Sequence, residues 1–211
     1  MLLGGELERY YRIALLATFV LAIFLCWQNP SYADTTFNRC KQYLPIVIRE
    51  VHYFIGIDAP YWVYMGQGEN ESKCQANITS FDGGKGFFQF TGSTIEAIQE
   101  QEKALQELSA TAIPYDPHWA IRAGILYDKS LSGKVSCKGD YNMDMTLRSY
   151  NGGLSLMNKE IARAKSCVPS VVAKFCKRKV LTLKGGGNLD LCVVNVSYPI
   201  QVFKLSEKYK P

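Results

Sequence analysis

Apolar positions recur every three or four residues along much of the chain, and several of these stretches begin with a helix-start signal. Pro45 and Pro60 suit the first turn of a helix, where a missing backbone N–H costs nothing. They predict helices over residues 46–54 and about 61–71. The pattern of this part of the chain therefore indicates short helices rather than strands.

Further helical patterns follow, each with its own start signal. Ser93 and Glu96 form a capping-box pattern, in which each side chain satisfies a free backbone N–H, and they predict a helix to about residue 108. Asp116-Pro117 starts another helix, in which small and apolar residues recur to about residue 131.

The last helices are less regular. Asp140 is expected to cap a helix that runs through Tyr150, and Gly152-Gly153 weakens it because glycine costs about 1 kcal/mol in a helix interior. A helical continuation to about residue 164 follows. The chain closes with an amphipathic stretch that begins at Tyr198-Pro199 and ends near residue 209.

The segment over about 167–196 has a different composition. Apolar runs rich in valine and leucine at 180–183 and 191–196 flank a glycine-rich turn, which is typical of a β-hairpin. No internal repeat and no Pro- or Ser-rich linker marks a second domain. We therefore expect one mainly α domain over residues 34–211, with a short β-hairpin-like insert near the C-terminus.

The N-terminal 33 residues have the three parts of a secretory signal peptide. Arg9 and Arg12 precede an uncharged apolar run of 15 residues over 13–27, and Ser31-Tyr32-Ala33 places small residues before a cleavage site. We expect cleavage after Ala33 and export to the periplasm. The alternative is an uncleaved membrane anchor, although the run is shorter than the ~20 residues of a typical span.

The composition narrows the class of protein. In 211 residues, 47% hydrophobic, 20% charged and 12% aromatic side chains describe a globular chain of one or at most two domains. A mean hydropathy near zero excludes a polytopic membrane protein. The net charge of +5 suits an anionic partner such as a membrane surface, a cell wall or nucleic acid, but it is too small and too dispersed to name one. The partners that we predict from the whole sequence do not include nucleic acid.

The seven cysteines indicate disulfides. The chain has only two histidines and no CxxC pair, so zinc-finger spacing is absent. Cys26 falls inside the predicted signal peptide, which leaves an even number for an oxidising compartment. The sequence leaves their pairing open. The six candidates are Cys40, Cys74, Cys137, Cys167, Cys176 and Cys192.

One carboxylate has the surroundings of a general acid. Glu71 lies near the C-terminal end of a predicted helix rich in aromatic residues, and a loop with three glycines and the Gln89 amide follows it. A helix C-terminus and apolar neighbours both disfavour the charged form, and thus raise the carboxyl pKa. Because aromatic faces pack on sugar rings, this composition favours a carbohydrate cleft.

The other candidate groups have simpler interpretations. Glu69 is two residues from Glu71 and is interpreted as a surface charge on another helix face. Asp82 is either a second carboxylate in the cleft or a turn former before the glycines. His52 and His118 have no Ser or Cys partner at a recognisable spacing and are interpreted as structural.

Three motifs then occur in order. Ser72 follows Glu71 directly, and Ser80, Gly86 and Gln89 follow at 9, 15 and 18 residues after the glutamate. Asp116-Pro117 precedes Ile121 to Tyr127, and Ser149-Tyr150-Asn151-Gly152-Gly153 comes next. These motifs resemble the signature of the soluble lytic transglycosylases (SLT), the lysozyme-like family that cuts the glycan strand of peptidoglycan.

The resemblance implies a lysozyme-like fold and a reaction without a cofactor. Glu71 would act as acid and then as base, and the product would be a 1,6-anhydro end. The resemblance also assigns Tyr150 to stabilise charge and orient Glu71. The expected substrate-binding residues are Ser80, Gly86, Phe88, Gln89, Tyr150 and Asn151.

The chain departs from the family pattern at two positions and in one segment. Ala120 occupies a position where the family usually has Asn, Phe88 replaces a frequent Met, and the insert is outside the general pattern. The layout is similar to the small specialised transglycosylases of conjugation or type IV secretion, so peptidoglycan and such machinery are the expected partners. The alternatives are a hydrolytic lysozyme or phage-type endolysin, and a non-catalytic peptidoglycan-binding assembly module.

Overall fold

The computed structural model describes residues 32–101, 114–182 and 187–211. The chain divides into two units, residues 1–38 and 39–211. The predicted apolar run of the signal peptide and the end of the predicted helix at 102–108 lie outside the described residues. No helix in the described part of the chain has the length and apolar character needed to cross a membrane.

The described residues are mainly helical. The α-helices are α1 Tyr32–Lys41, α2 Leu44–Phe54, α3 Tyr61–Ser72, α4 Gly92–Gln101, α5 Pro117–Lys134, α6 Asn142–Gly152, α7 Leu154–Ala164, α8 Pro169–Val172 and α9 Leu191–Ser206. Short 3-10 turns cover Gly139–Tyr141, Ala173–Phe175 and Glu207–Tyr209. Two antiparallel strands, β1 Val180–Thr182 and β2 Asn188–Asp190, pair with Leu181 opposite Leu189.

Local signals explain several helix starts. Pro45 lies in the first turn of α2, as predicted, and Pro60 directly precedes α3. The Asp116 carboxylate caps α5 and accepts hydrogen bonds from the backbone N–H groups of His118 and Trp119, at 2.8 and 3.1 Å. The predicted interruption at Gly152-Gly153 separates α6 from α7.

Three predicted boundaries are wrong. The helix α4 begins at Gly92, so Ser93 lies inside it and Thr91 directly precedes it. The helix α6 is preceded by Tyr141, because Asp140 belongs to a 3-10 turn. Residues 191–196 are the first turns of α9 rather than a strand, since the Asp190 carboxylate accepts from the Cys192 N–H and starts the helix there.

The helix α3 is the centre of the larger unit. The closing helix α9 packs along α3 and also contacts α6. A Cβ at Gly66 of α3 would lie 2.5 Å from the Val202 carbonyl oxygen of α9, so only glycine permits this approach. The close packing of α9 on α3 brings the end of the chain to the middle of the fold.

A buried ionic network joins α6, α7 and α9. The Arg148 guanidinium donates to Glu160 at 2.6 Å and to the Asn195 side-chain oxygen at 3.0 Å, and all three side chains are buried. The Asn195 amide donates back to the Arg148 carbonyl oxygen at 2.8 Å. Breaking a buried pair of this kind costs about 3–5 kcal/mol, so the network fixes how α9 sits on α6.

All six cysteines of residues 34–211 are paired, which fits the expected disulfide framework. Cys40–Cys74 ties the end of α1 to the residues after α3, and Cys137–Cys167 joins the segments that follow α5 and α7. Cys176–Cys192 closes the insert onto the first turn of α9. The hairpin is thus attached covalently to the helical body.

Candidate active site

The C-terminal end of α3 positions Glu71. The helix ends at Ser72, and the next two residues, Lys73 and Cys74, adopt left-handed backbone conformations with φ of 55° and 57°. The Cys40–Cys74 disulfide holds this reversal three residues after the carboxylate. The helix end is therefore constrained on the side where Glu71 projects.

Ser72 connects the acid's helix to the glycine-rich loop. Its hydroxyl donates to the Phe87 carbonyl oxygen at 2.8 Å and accepts from the Gln75 N–H at 3.1 Å. The side chain is buried, so these bonds are shielded from water. They fix the distance between Glu71 and the loop that forms the opposite wall of the site.

The loop over 79–90 is held by its own backbone. Lys85 pairs with both Thr79 and Phe90 in isolated antiparallel bridges. Gly86 has a φ of +70°, and a Cβ there would lie 1.8 Å from the Pro114 carbonyl oxygen, so the position requires glycine. The Gln89 amide donates to the Gly86 carbonyl oxygen at 2.7 Å and thus braces the turn.

A cleft of about 320 Å³ opens above Glu71. Polar groups of the loop and aromatic side chains both line it. Phe81 stands at its mouth with 93% of its surface exposed, which is unusual for phenylalanine and suits a flat ligand face. Other lining residues are Ser80, Asp82, Gln89, Tyr127, Tyr150 and Asn151.

The Glu71 carboxyl is tuned to exchange a proton near neutral pH. Burial raises the pKa of Glu71 to about 7, because it disfavours the charged form. A hydrogen bond donated by the Tyr198 hydroxyl to Oε1 acts in the opposite direction and lowers the pKa, and the negative charge of Asp82 raises it. Glu71 can therefore hold a proton at pH 6–7 and release it within the same site.

Tyrosines form the wall behind the acid. The rings of Tyr198 and Tyr150 stack with centroids 6.2 Å apart, and Tyr127 contacts Tyr150 at 5.6 Å. The Tyr150 hydroxyl donates to the Phe88 carbonyl oxygen at 2.5 Å. Burial raises the pKa of Tyr150 and Tyr198 well above the usual phenol value, so both remain neutral hydrogen-bond donors.

A second buried carboxyl lies beneath this wall. Asp128 on α5 is 1% exposed, and Gln67 on α3 is fully buried. Gln67 lies beside Asp128 and lowers its pKa, but neither side chain has a well-formed hydrogen bond within the described residues. Burial, together with the charge of Glu71, raises the pKa of Asp128 well above its usual range. Burial of Asp128 therefore favours its protonated form, close to Glu71.

Four of the predicted site residues line the cleft with Glu71. Ser80 donates to the Asp82 carboxylate and, at 3.2 Å, to the Gly84 carbonyl oxygen, so it orients the loop and Asp82. Gln89 and Tyr150 lie in the walls of the cleft. Asn151 also lines the cleft, and its side chain is exposed.

Two predicted substrate-binding residues are buried instead. Phe88 is fully buried. Its ring packs against Gly124 of α5, where a Cβ would lie 2.6 Å from the ring, so Phe88 supports the cleft without lining it. Gly86 is also buried, and its role is to permit the loop turn against residue 114. Both residues are therefore buried behind the cleft, and neither is among its lining residues.

Two further assignments are corrected by the structure. Tyr198 rather than Tyr150 donates to Glu71, since the Tyr150 hydroxyl is bonded to the backbone of Phe88. Glu69 is not a surface charge: it is buried, and its carboxylate accepts from Lys208 at 2.6 Å and from the Tyr209 hydroxyl at 2.5 Å. Glu69 therefore attaches the C-terminal turn to α3.

The sequence contains features that indicate the tyrosine partners of Glu71 and Glu69. Tyr198 and Tyr209 are aromatic residues with hydroxyls in an apolar closing stretch, and buried phenols need acceptors. Glu69 and Glu71 are the acidic residues of α3. Matching donors in the closing stretch to these acceptors could have predicted both contacts.

The described part of the chain has no group of three or more His, Cys, Asp or Glu side chains that could hold a metal ion. The described residues form a mainly helical fold with a small antiparallel hairpin near the C-terminus, and Glu71 lies in its aromatic-lined cleft.

The family model described as "Transglycosylase SLT domain" matches residues 68–169. The match supports the SLT, lysozyme-like family, and an SLT domain implies lytic transglycosylase activity on peptidoglycan. No curated protein matched the chain in a sequence search. The matched range includes Glu71, the loop and Tyr150, whereas the hairpin and Tyr198 lie beyond it.

Proposed function

We propose that the protein is a lytic transglycosylase that cleaves the β-1,4 bond between N-acetylmuramic acid and N-acetylglucosamine and leaves a 1,6-anhydro-muramoyl end. The observation that carries the proposal is the half-buried carboxyl of Glu71, which has a pKa of about 7 and lines an aromatic-lined cleft. The family match over residues 68–169 supports the same chemistry.

The acid step uses the protonated form of Glu71. Its proton goes to the glycosidic oxygen, the bond to C1 of the muramoyl unit breaks, and positive charge develops on that sugar ring. The Tyr198 hydroxyl holds Oε1, so that the other carboxyl oxygen is presented to the cleft. Burial favours this step because it raises the pKa of Glu71 to about 7, so that a substantial fraction of the carboxyl is protonated near neutral pH.

The base step uses the same residue after it has lost its proton. The Glu71 carboxylate takes the proton of the muramoyl C6 hydroxyl, and the C6 oxygen bonds to C1 to close the anhydro ring. No water is consumed, and Glu71 ends protonated, as it began. The Tyr198 hydrogen bond stabilises the carboxylate between the two steps.

A hydrolytic lysozyme or phage-type endolysin is the second candidate. Asp82 lines the same cleft, and its charge raises the pKa of Glu71. A second carboxylate there could direct a water molecule to C1 instead of the C6 hydroxyl. The products differ, since hydrolysis leaves reducing ends.

Digestion of purified sacculi separates the candidates. The exported protein and Glu71→Gln are incubated with sacculi, and the soluble products are analysed by mass spectrometry. Anhydro ends that are lost in Glu71→Gln are the expected result. Reducing ends would replace the proposal by a lysozyme, and intact glycan with both proteins would indicate a non-catalytic peptidoglycan-binding module.

We also propose that the protein is exported and opens the wall locally for conjugation or type IV secretion. The predicted signal peptide and three disulfides support export, because disulfides persist in oxidising compartments. The support for the secretion role is similarity of size and layout. Cell fractionation with N-terminal sequencing of the mature protein tests export and cleavage after Ala33, and loss of transfer in a Glu71→Gln strain tests the role.

A further inference from the structure

A second groove, here called the insert groove, lies beside the active-site cleft. It has a volume of about 630 Å³ and is formed by the hairpin, the first turns of α9 and the α6–α7 junction. Asp82 and Asn151 line both the insert groove and the cleft, so the two are continuous. A ligand held at Glu71 can therefore extend into the insert groove.

The lining of the insert groove differs from that of the cleft. Among the residues that the structure describes, no aromatic side chain lines the groove, whereas phenylalanine and tyrosine line the cleft. Sugar rings pack on aromatic faces, so the groove is poorly suited to a further stretch of glycan. Its apolar residues are leucines and a valine: Leu156, Leu189, Leu191 and Val194.

Cations surround this apolar floor. Lys177, Arg178 and Lys179 line the groove against one acidic residue, Asp82. The Arg178 guanidinium is engaged by the Asp190 carboxylate at 2.6 Å. Within the described residues, Lys177 and Lys179 form no ion pair, and both are exposed. The groove thus offers two ammonium groups beside small apolar side chains.

The position of the groove is fixed by the fold. The Cys176–Cys192 disulfide lies in its lining and joins the basic segment to α9. Asn195, which also lines it, is held by Arg148 in the buried network. Lys177 and Lys179 therefore lie at a fixed distance from the cleft, because they closely follow the disulfide-bonded Cys176.

We propose that the insert groove binds the anionic peptide carried by the muramoyl unit that occupies the cleft. The inference rests on the proposed function for the identity of the substrate. A peptide with free carboxylates and short aliphatic side chains matches both the lysines and the leucine-lined floor. The insert then selects glycan that still carries its peptides.

A peptide titration tests the groove independently of catalysis. The probe is a synthetic tetrapeptide, Ala–D-Glu–diaminopimelate–D-Ala, added to isotope-labelled protein and followed by NMR. We expect saturable amide shifts at Leu189, Leu191 and Val194. Lys177→Gln/Lys179→Gln should weaken binding at least fivefold. The matched control Lys159→Gln/Lys174→Gln removes the same charge from exposed sites outside the groove and should change binding less than twofold.

Two cleavage substrates complete the test. Lys177→Gln/Lys179→Gln should lower the cleavage rate on intact sacculi at least fivefold and leave the rate on peptide-stripped glycan strands unchanged. Equal loss on both substrates, no loss on intact sacculi, or peptide shifts outside the groove would overturn the proposal. If the wild-type protein cleaves neither substrate, the proposed function fails, and the peptide titration still decides whether the groove binds peptide.

Discussion

The Tyr198 hydroxyl donates a hydrogen bond to Oε1 of Glu71, a residue 127 positions earlier in the chain. Tyr198 is carried by α9, whose packing on α3 depends on glycine at position 66. The acid on the central helix is therefore completed only when the end of the chain has folded onto it. This contact lies between a residue inside the family match and a residue beyond it.

Tyr198→Phe is expected to shift the pH profile of cleavage upward. The hydrogen bond stabilises the charged form of Glu71 and lowers its pKa, so its loss raises the pKa above about 7. The rate requires protonated Glu71 in the first step, and the alkaline limb of the profile therefore moves to higher pH. The maximal rate should fall roughly ten- to a hundredfold, because the carboxyl loses its orientation.

Tyr150→Phe is the control for this variant. It also removes one buried hydroxyl, but the bond it breaks is to the Phe88 carbonyl oxygen rather than to Glu71. Its alkaline limb should therefore stay within a few tenths of a pH unit of the wild type. Identical pH profiles for wild type and Tyr198→Phe would contradict the role given to Tyr198.

Phe81→Ala is expected to weaken substrate binding without destabilising the fold. The ring is 93% exposed at the mouth of the cleft, so its removal leaves no cavity. Loss of a stacking face should raise KM roughly fivefold, while kcat on soluble glycan oligomers changes little. Tyr53→Ala removes another exposed aromatic residue outside the cleft and should leave both constants unchanged. An unaltered KM in Phe81→Ala would show that the ring does not contact substrate.

Much of the helical fold and the acid itself could be predicted from local sequence. Asp116-Pro117 starts α5 by a mechanism confined to four residues, and Gly152-Gly153 weakens the helix that contains it, so that α6 ends there. The environment of Glu71 could also be predicted, because the helix end, the glycines and the aromatic residues are its neighbours in sequence. These features need no knowledge of distant contacts.

The features that could not be predicted depend on tertiary packing. Valine and leucine at 191–196 favour a strand locally, but the Asp190 cap and packing on α3 make this segment helical. No local sequence feature marks Glu69 or Phe88 as buried. Glu69 is buried because the C-terminal turn packs on it, and Phe88 is buried because α5 packs on it. Burial of a polar or aromatic group is decided by elements far along the chain.

Removal of the Cys40–Cys74 disulfide is expected to affect both stability and activity. Cys40→Ser/Cys74→Ser opens a loop with a sequence separation of 34 residues, which should cost about 3–4 kcal/mol of unfolding free energy. It also frees the backbone turn at Cys74, three residues after Glu71, so that the carboxyl is positioned less precisely. Activity should therefore fall roughly tenfold at a temperature where the variant is folded. Denaturant unfolding and product release from sacculi measure the two effects.

The Cys137–Cys167 pair provides the matched control. Its sequence separation of 30 residues gives a similar entropic cost, but it joins segments beyond α5 and α7 that do not line the cleft. Cys137→Ser/Cys167→Ser should lose comparable stability and keep its activity while folded. Equal activity in the two double variants would show that the Cys40–Cys74 bond does not position Glu71.

Asp128→Asn is expected to stabilise the protein, increasingly so as the pH rises. Burial raises the pKa of Asp128 in the folded state, so above the usual carboxyl pKa the unfolded chain releases its proton first and wild-type stability falls as the pH rises. Asparagine does not titrate, and its stability advantage should therefore be larger at pH 7 than at pH 5. Urea unfolding at both pH values measures this difference, with the exposed substitution Asp140→Asn as a control of constant effect. Activity should change little, since Asp128 does not line the cleft. A stability difference that is the same at pH 5 and pH 7 would mean that Asp128 is ionised in the folded protein.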